Sequence, residues 1–169
     1  MNFEYIVSEL ERGKEVFKSL FENTPEEVYK FKPVENKWCM LEVLCHLYDE
    51  EREDFRARAE YVLTHKDGFL PPTDVAGWVT SRKYIEQDYN SMLQKFLDER
   101  EKSLAWLRSL ENPDWENYIV HPTHGNIPAK LFLITWPAHD YLHIRQIIKL
   151  KFDYLSKTEN NNLDYAGEW

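Results

Sequence analysis

Four long stretches of this chain repeat their apolar residues at three- and four-residue intervals, which confines the fold to packed helices. The first places Phe3, Ile6, Val7, Leu10, Val16, Phe17, Leu20 and Phe21 on one stripe and predicts a helix over about 2–22. The second runs from about Trp38 to Thr64. Its opening turns, Met40 to Leu47, are apolar almost all round and read as buried on several sides, whereas the charged run Asp49 to Arg58 reads as solvated. The third carries Tyr89, Met92, Leu93, Phe96, Leu97, Leu104, Leu107 and Leu110 over about 84–110, and Pro113 ends it. The fourth starts near Asn126, read as its cap with Pro128 in the first turn, and reaches about Tyr154.

Between these helices the signals are shorter. Thr24-Pro25-Glu26-Glu27 reads as a cap, a proline at the first helical position and a capping-box glutamate, giving one brief helical turn. Gly68, Pro71, Pro72 and Gly77 mark a long loop at about 65–83. Tyr118 and Val120 alternate and allow a short extended segment. The expected fold is all-α, a four-helix bundle with one long crossover connection, formed as a single domain over 1–155. A polar extension is expected over 156–169.

Composition narrows the function. Lys plus Arg is 21 and Asp plus Glu is 30, a formal net charge of −9, so the basic footprint of a duplex-binding protein is missing. Only 5 of 169 residues are glycine, and they are too scattered for a GxGxxG or P-loop cradle. Cys39 and Cys45 are six positions apart on one helix, about 600° of rotation, so they cannot bridge and read as free thiols of a reducing compartment. No apolar stretch approaches the ~18 residues of a membrane span, and the acidic, amphipathic start has no signal-peptide core. The chain is expected to be cytoplasmic.

The chemistry concentrates in histidine. His139 and His143 are four apart, so one helical face presents both rings a turn apart, as in paired imidazole metal ligands. The glutamate of an HExxH motif is absent. His46 lies in the most apolar part of the second helix and reads either as a satisfied core histidine or as a third ligand from a facing helix. Glu50 follows one turn later and reads either as a general base or as a solvated member of the acidic run. Pro137 is expected to kink the fourth helix just before His139. Asp140 should face away from His139, with Arg145 as a candidate partner, and Gln146 is placed to support His143 from behind. Trp78, Trp136 and Tyr141 are candidate pocket walls, and His124 is a loop histidine able to approach the pocket.

The segment Lys37-Trp38-Cys39-Met40-Leu41-Glu42-Val43-Leu44-Cys45-His46 resembles the W-S-x-x-E-x-x-x-H helix start of the DinB-like (DinB/YfiT) superfamily. His124-Gly125-Asn126-Ile127-Pro128, followed by His139-Asp140-Tyr141-Leu142-His143-Ile144-Arg145-Gln146-Ile147, is similar to that family's H-G and H-D-x-x-H-x-x-Q-I segments. Cys39 stands where the family usually has Ser or Thr, so Glu42 is expected to carry more of the helix cap. The resemblance implies a four-helix bundle in which His46, His139 and His143 hold a divalent metal, with Zn²⁺ or Ni²⁺ first and Fe²⁺ or Co²⁺ also fitting. It implies a metal-dependent enzyme acting on a small molecule, such as transfer of a low-molecular-weight thiol to an electrophile. Hydrolysis, isomerisation and a non-catalytic binding module are the alternatives. A homodimer is also implied, with apolar residues of the first helix as a candidate contact.

Overall fold

The computed structural model describes residues 1–65, 70, 72–121, 123–158 and 163–167. The chain is mostly helical. Helix α1 spans Phe3–Phe21, and the short α2 spans Glu26–Tyr29. Helices α3 (Met40–Glu50) and α4 (Arg56–Thr64) form one rod, joined by a wide π-helical turn at Glu51–Phe55. Then come α5 (Val75–Ser81), a 3-10 turn at Tyr84–Glu86 and α6 (Tyr89–Ser109). A hairpin of β1 (Tyr118–His121) and β2 (Gly125–Pro128) leads into α7 (Ala129–Thr158), and a 3-10 turn covers Asp164–Ala166.

Side-chain pairs fix the directions of the helices. Arg100 on α6 bonds the Leu10 carbonyl while Phe96 meets Phe17, so α1 and α6 are antiparallel. Glu51 meets Arg100 while Arg56 meets Ser103, so the α3–α4 rod runs parallel to α6. His46 faces His143 while Phe55 stacks on Trp136, so the rod is antiparallel to α7. Parallel neighbours oblige the chain to travel back along the bundle between them. The connection from His65 to Asp88, which carries α5, makes that journey and is the long crossover. Its residues 66–69 and 71, including Gly68 and Pro71, lie outside the described residues, as do 159–162, 168 and 169 of the expected polar extension.

Two large apolar blocks hold the bundle, and a smaller one packs Val62, Leu70, Ile119 and Ala129. One of the large blocks packs Phe17, Phe21, Met40, Leu44, Phe96 and Ile147; the other packs Leu10, Phe55, Leu104, Leu107, Leu133 and Trp136. Burying side chains of this size contributes roughly 1.5–3 kcal/mol each. Cys39 and Cys45 are free and buried, and burial pushes their thiols up to about 11 and about 12, so both serve as small apolar fillers.

Several local readings are corrected. Asn126 does not cap a helix; it pairs with Val120 in the hairpin, and α7 starts at Ala129. The turn depends on Gly125, whose φ of 68° lies in the left-handed region that suits glycine. Pro25 is the cap of α2 rather than its first residue, and the Thr24 hydroxyl donates to the Leu20 carbonyl. The third helix begins at Tyr89, after a separate turn at Tyr84. At α3 the Cys39 N–H donates to Glu42 Oε2 at 2.8 Å, the reach-back half of a capping box.

The largest correction concerns the charged run. Asp49, Glu50 and Glu51 are buried, not solvated. Beyond the neighbouring Arg52 at Asp49, their partners come from distant parts of the chain: Tyr84 and Arg82 for Asp49, Arg100 and Trp136 for Glu51. A sequence window sees the charges and not these partners.

Candidate metal centre

His46 sits on α3, one turn before Glu50, and both point at α7. There His139 and His143 stack a turn apart, and the three rings meet. His46 Nε2 lies 3.1 Å from His143 Nε2, which lies 3.0 Å from His139 Nε2. Ligand atoms from all three rings fall within 4.8 Å of one another. Glu50 closes one side, with Oε2 2.8 Å from His139 Nε2 and Oε1 3.6 Å from His46 Nε2.

The electrostatics suit a cation. Burial drives His46 down to about 4 and His143 to about 3, with neighbouring rings adding to the shift, so both are neutral imidazoles near neutral pH. Burial also works to raise Glu50, but its hydrogen bond to His139 and its electrostatic interaction with the three imidazoles hold its pKa below the ordinary value. Gln146 Oε1 lies 2.8 Å from His143 Nδ1 and accepts a hydrogen bond from its N–H, which leaves the His143 Nε2 lone pair facing the cluster. Facing lone pairs repel unless a proton or a cation lies among them. Three imidazoles beside a carboxylate therefore fit a divalent metal by donor chemistry as well as by spacing, and three protein ligands leave a coordination position open. His46 Nδ1 is buried with no hydrogen-bond partner among the described residues.

Behind this cluster lies a second polar one. Asp140 follows His139 and points the opposite way, where Arg100, not Arg145, receives it. Arg100 is 1% exposed and spends its guanidinium on Asp140, Glu51 and the Leu10 carbonyl, at 2.7–3.1 Å. Burial opposes its charge, and Asp140 and Glu51 overcome that to keep it a cation. Trp136 Nε1 donates to the other oxygen of Glu51 at 2.9 Å. Gly13 of α1 makes room for this arrangement, since a Cβ there would lie 2.9 Å from Asp140 Oδ2. Glu51 and Asp140 each adjoin a residue of the histidine cluster, Glu50 and His139, so one arginine ties together the two backbones that present the site.

A cavity of about 750 Å³ opens beside His143 and Gln146, between α7 and the segment before α3. None of the four expected wall residues lines it. Trp78 is core, with Arg82 over its ring. Trp136 lies inside the bundle against Phe55. Tyr141 is half exposed and donates to Glu9, and His124 sits at the hairpin turn beside His121. The aromatic wall is Trp38, whose ring centroid lies 4.8 Å from that of His46. Trp38 stands directly before the α3 cap, so its place in the motif was the available signal.

Comparison with known proteins agrees with this fold. The solved structure of YfiT from Bacillus subtilis, described as a probable metal-dependent hydrolase with an unusual four-helix bundle topology, superposes with a TM-score of 0.77. It shares 21% identity over 88% of this chain and 85% of its own, a likeness of fold. Comparison with curated proteins finds no match. The family model of the DinB superfamily matches residues 9–147, a span that holds His46, Glu50, His139 and His143 together. A four-helix bundle with a histidine cluster on its second and fourth long helices, matched across most of its length by that model, belongs to the DinB superfamily.

Proposed function

We propose that this chain is a metal-dependent enzyme that activates a small nucleophile at His46, His139 and His143. The convergence of the three Nε2 atoms carries the reading. A divalent ion on three imidazoles, Zn²⁺ or Ni²⁺ first and Fe²⁺ or Co²⁺ also fitting, supplies Lewis acidity and draws the pKa of water or a thiol toward neutrality. Glu50, buried and held ionised, is the proton acceptor at the edge of the cluster. Gln146 holds the His143 ring in one tautomer. Hydrolysis is the reaction favoured by a carboxylate base at the site, and the described character of YfiT points the same way. Addition of a low-molecular-weight thiol to an electrophile is the second reading, favoured by a cavity with room for two small reactants.

The test is elemental analysis of untagged protein. The wild type should hold about one divalent ion per chain and the His139→Ala/His143→Ala variant almost none, with helical circular dichroism unchanged. Equal metal in both would remove the site. Glu50→Gln should keep the metal and lose roughly 10²–10⁴ in rate on whichever panel, esters and amides or thiol plus electrophile, gives turnover. Metal without turnover in either panel would favour the binding-module reading.

We also infer a homodimer. Exposed apolar residues are most numerous on α7, where Leu131, Ile134, Tyr141, Leu142, Ile148 and Leu155 are spaced along the helix, whereas α1 exposes Tyr5. Light scattering should give twice the chain mass of 20.4 kDa.

A further inference from the structure

We propose that the cavity beside His143 binds a small anion with an apolar body, gripping the anionic group with Arg145 and Lys37. That the bound molecule is the substrate rests on the function proposed above; the binding does not. The cavity is walled by Trp38 and Val34 on one side and by Leu142 and Leu150 of α7 on the other, an apolar slot for an aromatic or aliphatic group. Its cations behave differently from one another. Lys149 is held by Asp153 one turn on. Arg145 and Lys37 also line the cavity, but neither side chain has an ion-pair or hydrogen-bond partner among the described residues.

Two such cations are conspicuous in a chain of net charge −9, where other arginines, among them Arg52, Arg56, Arg58, Arg82 and Arg100, are met by carboxylates. They come from opposite walls, Lys37 from the segment before α3 and Arg145 from α7. A carboxylate between them gains two charge-assisted contacts, with the planar guanidinium able to take both oxygens. His143 and Gln146 belong to the same lining, so a molecule anchored at Arg145 lies alongside the histidine cluster. Arg145 is two residues from His143 and one from Gln146, so it reads the ligand on the helix that also presents the metal ligands.

The probes are 4-phenylbutyrate and its neutral analogue 4-phenylbutyramide, titrated calorimetrically into chelator-treated, metal-free protein. The carboxylate should bind about tenfold more tightly than the amide, since both cations are partly solvated, and salt should narrow the gap. Lys37→Gln/Arg145→Gln should bring the two probes within about twofold of each other, and Trp38→Ala should weaken both alike. Equal binding by the wild type, a preference that survives the double substitution, or no binding of either probe at millimolar concentration would each overturn the proposal. Metal content of the same samples is measured separately, so loss of the anion preference and loss of the metal centre are told apart.

Discussion

Two buried polar clusters lie back to back in this bundle, and they are built on opposite rules. Around Arg100 the guanidinium bonds are answered by Glu51, Asp140 and a backbone carbonyl. Around His143 three ring nitrogens face one another, and His46 Nδ1 has no partner among the described residues. A closed cluster holds shape, because breaking any part strands a buried charge. An open cluster holds capacity, because ring nitrogens that meet chiefly one another can turn to a ligand instead. The two share backbone neighbours, so the closed one fixes the geometry that the open one uses.

That contrast can be broken experimentally. Arg100→Met leaves Glu51 and Asp140 buried without their cation, and should cost about 3–5 kcal/mol of unfolding free energy in urea. Gln146→Ala should weaken metal binding roughly 10–100-fold in a chelator competition, because His143 loses the acceptor that sets its tautomer. It should leave the metal-free protein's stability almost unchanged. Gly13→Ala should cost about 1–3 kcal/mol, since its Cβ would crowd the Asp140 carboxylate. The smallest effect is expected where the site itself is altered. His143→Leu in chelated protein should shift stability by about 1 kcal/mol or less, as active sites are seldom optimised for stability. A loss comparable to that of Arg100→Met would mean that the histidine cluster is structural, and the contrast would fail.

The helices and the three histidines were legible because helix periodicity and i,i+4 spacing are local signals. The long crossover was legible too, from the length and the proline and glycine content of its segment. The closed cluster was not. Asp140 invites pairing with nearby Arg145, yet its partner is forty residues away on another helix. Trp38 and the cavity escaped for the same reason, since the wall forms only when the segment before α3 meets α7. The hairpin at Gly125 looked like a helix cap because Asn and Pro serve both purposes.

The wide turn at Glu51–Phe55 has a consequence for aligning sequences. Along the rod, His46 and Glu50 face the histidine cluster, the Asp54 carboxylate feels the charges of His139 and Glu50, and Phe55, five residues after Glu50 rather than four, packs against the His139 ring. Ala59 and Val62 then continue the buried face at ordinary intervals. In an unbroken α-helix each residue adds ~100°, so one surplus residue would swing everything after it out of phase. The wide turn absorbs that residue on the spot. A bundle of this kind with an uninterrupted second helix would need one residue fewer between its histidine and its Phe55 equivalent. A single-residue gap within 51–55 is therefore the correct alignment for such a chain, and forcing the flanks into ungapped register would pair buried positions with exposed ones.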